Sequence, residues 1–168
     1  MPMKKKSKKT AAKSTPKKKS PVKKAPAKAR PAAVKSALSL YDVAPGFTAN
    51  DLTKSLAWYT DVVGFAVEER WMRDGVLAGV SLRAGKATLM LGQDDWQKGR
   101  ERKKGEGFRI YLETAQDVDA IAKRIEAAGG RLDQQPKDQP WGMRDISMTD
   151  PDGFKLTIGK PLKKKVSR

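Results

Sequence analysis

Hydrophobic and polar residues follow the same succession of patterns twice along the chain. In the first copy, an alternating stretch precedes a helical repeat of Leu52, Leu56, Tyr59 and Val63, and three more alternating stretches follow. Short turns that contain glycine join these three stretches, which is typical of antiparallel neighbours. The predicted elements are a strand over 43–49, a helix that Asn50 or Asp51 caps and Gly64 ends, and strands over 65–72, 76–83 and 86–92.

The second copy has the same elements in the same order. Asp51 lies 13 residues before Gly64, and Asp117 lies 13 residues before Gly130, so an internal duplication is the simplest explanation. The polar stretch 93–106 between the copies predicts a loop or a short helix. The second set of elements is a strand over 108–113, a helix over 117–128, and strands over 131–135, 143–149 and 154–158.

The first part of the chain lacks these patterns. Residues 1–36 carry 14 Lys and Arg and no acidic residue, and they contain too few large apolar side chains to offset the entropy of ordering. We therefore expect a disordered Lys/Pro/Ala-rich arm over 1–37, one domain over 38–160 and a basic tail over 161–168. The domain region 37–159 is almost neutral, with 17 basic and 19 acidic residues.

The arm resembles the tails of linker histones, because Thr15-Pro16-Lys17-Lys18 and Ser20-Pro21-Val22-Lys23-Lys24 are similar to their Ser/Thr-Pro-Lys-Lys repeats. Closely spaced positive charges release counterions from a nucleic-acid backbone and bind it without reading its sequence. The alternative is a solvated tail that aids solubility. The lysines predicted to contact DNA or RNA are Lys17, Lys18, Lys19, Lys23 and Lys24.

The composition removes several kinds of chemistry. The chain has no cysteine and no histidine, which excludes disulfides, thiolate sites and every nucleophile that imidazole activates. We expect no cofactor. No apolar run reaches the roughly 18 residues of a membrane span, and the cationic start is not followed by the apolar stretch of a signal peptide. We therefore expect a cytoplasmic protein without membrane contact, with nucleoid association as a possibility that the arm raises.

Several motifs resemble the vicinal oxygen chelate superfamily, which includes glyoxalase I, bleomycin-resistance proteins and extradiol dioxygenases. The resemblance covers about residues 40–160. The motifs are Asn50-Asp51-Leu52, Ser55-Leu56-Ala57-Trp58-Tyr59, Val63-Gly64-Phe65, Asp117-Val118-Asp119-Ala120, Ala128-Gly129-Gly130, Pro140-Trp141-Gly142-Met143-Arg144 and Asp150-Pro151-Asp152-Gly153-Phe154.

The resemblance implies an α+β fold in which two βαβββ modules form an eight-stranded cup, with a ligand inside and a homodimer as the assembly. Metal-dependent members place their ligands on the first and last strands of each module. Those positions correspond to Ala44, Met90, Arg109 and Thr157, which form no usable ligand set. We therefore expect no metal, and a small-molecule-binding protein of the glyoxalase/bleomycin-resistance type, with a role in antibiotic resistance.

Alternation within the strands indicates which side chains line the cup. Phe108, Ile110 and Leu112 share the apolar face, so the intervening side chains point the other way. An arginine can bind a carboxylate or phosphate in bidentate fashion, and Trp or Tyr can stack on a planar ligand. The alternative is that Arg109 pairs with an acidic neighbour, Glu113 or Asp145. The predicted ligand-binding residues are Met90, Arg109, Tyr111, Glu113, Trp141, Asp145 and Thr157.

Two other functions stay open. A lyase or isomerase of the same superfamily would use Glu113 and Asp145 as an acid/base pair, or as ligands for a hard cation such as Mg²⁺. A nucleoid-associated protein would use the domain to dimerise and the arm to bind DNA. Trp58 and Tyr59 are expected to pack the helix on the sheet, and Asp150 to Gly153 to form a simple turn.

Overall fold

The computed structural model of the chain describes residues 38 and 42–163. The predicted arm and its lysines, and the end of the basic tail, lie outside the described residues. The elements are β1 (Gly46–Ala49), α1 (Leu52–Ala57) with a π-helical continuation (Trp58–Val63), β2 (Ala66–Arg73), β3 (Val76–Ala84), β4 (Ala87–Gln93), β5 (Arg109–Glu113), α2 (Val118–Ala127), β6 (Gln134–Asp138), β7 (Met143–Thr149) and β8 (Lys155–Pro161).

The strands form two four-stranded sheets with the same connectivity. The order is β1-β4-β3-β2 in the first sheet and β5-β8-β7-β6 in the second. In each sheet the first strand pairs in parallel with the last strand of its own module, and the remaining pairs are antiparallel. This is the predicted α+β fold of two βαβββ modules. We call residues 46–93 module 1 and residues 109–161 module 2.

The first helix begins at Asp51, one of its two predicted caps, and Asp117, predicted as the first residue of the second helix, is its cap. The Asp51 side chain accepts a hydrogen bond from the Lys54 N–H, and Asp117 accepts from the N–H groups of Asp119 and Ala120. Gly64 ends the first helix with a φ of 94°, in the left-handed region. The π-helical continuation was not predicted, because a hydrophobic repeat of three to four residues does not distinguish a wider coil.

Several predicted boundaries were wrong, including the end of β8, which lies at Pro161 rather than at residue 158. β1 begins at Gly46 rather than at residue 43, because Val43 is exposed and Pro45 has no N–H to donate. β6 begins at Gln134 rather than at residue 131, and Leu132 packs on the core from the preceding loop. Phe108 precedes β5 and is about half exposed, and its ring packs edge-to-face against the buried Phe47.

The two modules share one hydrophobic core. Apolar residues of both sheets and both helices form a single cluster that includes Leu82 and Ile146. Tyr59 in the π-helical segment is fully buried and its hydroxyl donates to Asp150 of module 2 at 2.9 Å. Trp58 packs against the same core, so both aromatic residues have the predicted packing role.

The segment from Asp150 to Gly153 is more than the simple turn expected. Asp150 is buried and also accepts hydrogen bonds from the backbone N–H groups of Asp152 and Phe154. Asp152 accepts from the Ser55 hydroxyl at 2.6 Å and from the Asn50 N–H at 2.7 Å. These two carboxylates therefore join the modules.

Within residues 38 and 42–163, no helix combines the length and hydrophobicity that crossing a membrane requires.

Candidate ligand-binding site

A cavity of about 300 Å³ lies on the concave face of the second sheet, opposite the core. All four strands of module 2, or the segments beside them, contribute to it. Alternation explains the lining, because the neighbours of these residues on β7 and β8, Ile146, Leu156 and Ile158, are buried in the core. The lining residues are Arg109, Tyr111, Gln134, Gln139, Trp141, Asp145, Ser147 and Thr157.

Arg109 is the cation of this cavity. One guanidinium nitrogen donates to the Thr157 hydroxyl oxygen at 3.2 Å. Among the described residues it forms no ion pair, so the predicted alternative of a pair with Glu113 or Asp145 was wrong. The guanidinium has five N–H donors, and most of them stay available to a ligand.

Asp145 is the anion of the cavity, and it is 2% exposed. One carboxylate oxygen accepts from the side-chain amides of Gln134 at 2.9 Å and Gln139 at 2.7 Å. The other oxygen accepts from the Tyr111 hydroxyl at 3.3 Å. These three bonds hold the ends of β5 and β6 and the segment after β6 around one carboxylate.

Two aromatic side chains stand beside these charges. Trp141 is 66% exposed, and Tyr111 is about half exposed. Burial raises the pKa of the Tyr111 phenol, and the Asp145 carboxylate raises it further, with a smaller opposing effect of Trp141. The phenol therefore stays protonated at neutral pH and donates to Asp145, which leaves its ring face to the cavity.

Arg144 fixes the segment that carries Gln139 and Trp141. It contacts both oxygens of Asp119 in α2 at 2.7 Å and one oxygen of Asp138 at 2.7 Å. Hydrogen bonds to these carboxylates raise the pKa of Arg144, and the bond from Arg144 lowers that of Asp119. The fork geometry of arginine suits this bridge, so the turn before β7 is tied to the helix.

Gly159 is a site residue that sequence reasoning missed. It pairs with Asp145 across β7 and β8 and with Glu113 across β5 and β8. A Cβ at this position would overlap the Tyr111 hydroxyl and lie 3.1 Å from the Asp145 Cβ. Only glycine therefore lets the Tyr111 hydroxyl reach Asp145 across β8.

The structure brings together five of the seven predicted ligand-binding residues. Met90 lies in the first sheet, and Glu113 lines a neighbouring cavity of about 440 Å³ that shares Arg109 and Tyr111 with this one and extends to the segment before β1 and the start of β4. Glu113 and Asp145 thus line different cavities, which does not suit the predicted acid/base pair. Gln134 lay inside the predicted strand over 131–135 and Gln139 outside every predicted element, and neither was predicted to line the cup.

The residues of this cavity do not fit the metal that some members of the superfamily bind. The cavity offers one carboxylate, two amides and a guanidinium, and a cation such as Arg109 opposes a metal ion. In the described part of the chain, no group of three or more acidic residues is placed to hold a metal. The chemistry of these donors therefore suits an organic ligand better than a metal ion.

The fold and the cavity together define a class: a βαβββ-repeat protein with a polar, aromatic pocket on one module. The model of the Glyoxalase/Bleomycin resistance protein/Dioxygenase superfamily matches residues 43–158. The chain belongs to this superfamily. No curated protein sequence matches the chain.

Solved structures show the same fold. TioX from Micromonospora sp. ML1 is 22% identical, with a TM-score of 0.60, over 73% of this chain and 99% of TioX. TnmS3, an antibiotic binding protein from Streptomyces sp. CB03234, is 26% identical, with a TM-score of 0.58, over 76% of this chain and 99% of TnmS3. A glyoxalase/bleomycin resistance protein/dioxygenase from Nocardioides is 18% identical, with a TM-score of 0.60, over 79% of this chain and 91% of its own.

Proposed function

We propose that this chain is a metal-independent small-molecule-binding protein that holds its ligand in the cavity of module 2. The observation that carries this proposal is the environment of the Arg109 guanidinium. Its guanidinium lies in a cavity, its one hydrogen bond to a described residue goes to a neutral hydroxyl, and two aromatic side chains line the same cavity. Arg109 is exposed to solvent at this cavity, and ligand pockets typically combine aromatic walls with a few polar or charged groups that orient the ligand.

The residues favour a particular ligand chemistry. Arg109 suits a carboxylate, sulfonate or phosphate, because its planar fork can donate two parallel hydrogen bonds to such a group. Trp141 and Tyr111 suit a planar ring system, since aromatic pairs contribute binding energy beyond their buried area. TnmS3 is an antibiotic binding protein, so antibiotics with planar rings are the first compounds to test.

A thermal-shift screen tests the proposal, since a ligand of the native state raises the melting temperature. The panel contains bleomycin-type glycopeptides, fosfomycin, planar aromatic acids and divalent metals, each with and without a chelator. Arg109→Gln and Trp141→Ala should abolish the shift, while the matched controls Arg83→Gln and Trp96→Ala in and near module 1 should keep it. A shift that only metals produce would contradict the proposal.

The exposed apolar residues of module 1 support a homodimer. Trp71, Met72 and Val76 are exposed around the β2–β3 turn, and exposed apolar clusters mark interaction surfaces. A second copy of the chain is the partner that the superfamily resemblance implies. Sedimentation velocity should give a dimer for the unmodified chain and a monomer for Met72→Glu combined with Val76→Glu; a monomer before substitution would contradict the dimer.

The arm supports a second function, affinity for nucleic acid. Residues 1–36 carry 14 positive charges without one negative charge. Deleting them should abolish binding to duplex DNA, and the affinity of the full chain should fall steeply as salt rises. Binding that survives the deletion would show that the arm is not the binding element.

A further inference from the structure

Asp145 has an electrostatic environment that its structural role does not require. It is a buried carboxylate whose three donors, Gln134, Gln139 and Tyr111, are all neutral. Among the described residues, no lysine or arginine pairs with it. A buried charge without a countercharge is costly. A neutral asparagine could hold the two glutamines at lower cost, so the negative charge needs another explanation.

The carboxylate also keeps unused capacity to accept a hydrogen bond. An ionised carboxylate offers about four acceptor positions, and the described residues use three of them. The oxygen that accepts from Tyr111 has the free position, since its partner oxygen already accepts from both glutamines. Asp145 and Tyr111 both line the cavity, so a ligand can supply the missing donor there.

The contact between the Tyr111 hydroxyl and Asp145 depends on the glycine at position 159. The residue opposite Asp145 on β8 has no side chain, and any Cβ there would overlap the Tyr111 hydroxyl. Tyr111 therefore lies across β8 with its hydroxyl on Asp145. The aromatic ring, the buried carboxylate and the guanidinium of Arg109 consequently share one concave surface.

We infer that Asp145 anchors a cationic nitrogen of the ligand, so that the cavity selects planar molecules with a basic nitrogen at one end and an oxyanion at the other. This inference rests on the proposed function. The ligand's amine, amidine or guanidine group donates to the free position of Asp145 and supplies the missing positive charge. Arg109 receives the oxyanion, and Tyr111 and Trp141 contact the ring.

The test compares two probes that share a ring system, measured with the full chain. Proflavine is a planar cation at neutral pH, and acridine is its neutral parent. The unmodified chain should bind proflavine at least tenfold more tightly, although its net charge of +17 disfavours cations. Asp145→Asn should weaken proflavine binding about 10- to 100-fold, as expected when a hydrogen bond to a charged group is lost, and should leave acridine binding unchanged.

The matched control is Glu126→Gln, which removes one negative charge from α2 of the same module, outside both cavities. It should leave the binding of both probes unchanged. Equal losses for both probes in Asp145→Asn, or equal affinities in the unmodified chain, would overturn the cation assignment and leave ligand binding intact. The comparison in the unmodified chain does not depend on the folding of any variant. Failure of both probes to bind, together with no metal-independent shift in the thermal-shift screen, would overturn the proposed function as well.

Discussion

The two βαβββ modules share their connectivity and core but differ on their concave faces. In module 1 glycines occupy this face at Gly79 and Gly92, and the Trp71 ring covers Gly79 so closely that a Cβ there would lie 2.7 Å from a ring carbon. On this face Arg83 pairs with Glu68 at 2.6 Å, and the Ser81 hydroxyl donates to the same carboxylate. Arg83 of module 1 thus has a countercharge within its own sheet.

Module 2 has the same strands and leaves its charges without countercharges. Arg109 contacts a neutral hydroxyl, and Asp145 accepts from neutral donors only, as far as the described residues extend. The two faces of this duplicated scaffold therefore differ in how their charges are paired. This difference, and not the fold that both modules share, is the reason we propose that module 2 binds the ligand.

The largest expected effect is on the free energy of unfolding and concerns the hydrophobic core that the two modules share. Leu82 of module 1 and Leu156 of module 2 are both fully buried in the common core. Leu82→Ala and Leu156→Ala should each lower the free energy of unfolding by about 2–5 kcal/mol. Denaturant unfolding should show one transition in both variants. Two separate transitions would mean that the modules fold as independent units and do not share a core.

The next effect concerns the hydrogen bond that joins the modules. Tyr59→Phe leaves a carboxylate oxygen of the buried Asp150 without its side-chain donor and should cost about 1–3 kcal/mol. The control is Tyr111→Phe in module 2, where partial exposure lets water replace the hydroxyl, so its cost should be smaller. Equal losses in the free energy of unfolding for Tyr59→Phe and Tyr111→Phe, measured by denaturant unfolding, would contradict this expectation.

The sequence predicted the scaffold better than the site. Period-two alternation placed Arg109 and Tyr111 correctly on the concave face, because buried Ile146, Leu156 and Ile158 leave no choice of face in the neighbouring strands. The glutamines that hold Asp145 were missed, since Gln139 lies beyond β6 and a register shift within β6 separates Gln134 from the alternation of the rest of the strand. Edge strands such as β6 carry a weaker hydrophobic signal, and its Pro136 fits that edge position.

Other features depend on contacts between distant residues. Gly159 lay beyond the predicted end of its strand, and no local pattern shows that Tyr111 crosses it. The absence of an ion pair at Arg109 was equally hidden, because both possible partners are close in the predicted sheet. Only three-dimensional packing decides that Asp145 accepts hydrogen bonds from the side-chain amides of Gln134 and Gln139 and does not pair with Arg109.

A third effect compares glycines on the two faces. Gly159→Ala should push the Tyr111 hydroxyl away from Asp145 and weaken proflavine binding about tenfold, as the loss of one hydrogen-bonded contact predicts. Gly79→Ala should displace the Trp71 ring of module 1 and change tryptophan fluorescence while leaving proflavine affinity unchanged. Fluorescence titration measures both. A larger loss of proflavine affinity in Gly79→Ala than in Gly159→Ala would place the ligand on module 1 and contradict the account.

The smallest effect is the pH dependence of stability, which has opposite signs at two carboxylates. Lys104, the Trp96 backbone and Arg102 lower the pKa of Asp94 to about 2. Its stabilisation is therefore present above the unfolded-state pKa and is lost as the pH falls toward 2. Burial raises the pKa of Asp150, so its contribution is fully present below the unfolded-state pKa and is lost as the pH rises through the folded-state value.

Denaturant unfolding midpoints, measured across the acid pH range in which Asp94 and Asp150 titrate, distinguish the contributions of the two carboxylates to stability. Asp94→Asn should flatten the loss of stability at low pH, because this variant has no charge to lose there. Asp150→Asn should remove the opposing slope and make the variant relatively more stable at the upper end of the range. Identical pH profiles for both variants and the unmodified chain would contradict these assignments.

The most direct test of the central claim is an amide NMR titration of the chain with proflavine. The claim is that the ligand lies on the concave face of module 2, between Arg109, Asp145 and Trp141. We expect the largest shifts at residues 109–111, 139–147 and 157–159, with the concave residues of β2 and β3 unchanged. Shifts centred on Trp71 and Gly79 would place the ligand on module 1 and contradict the account.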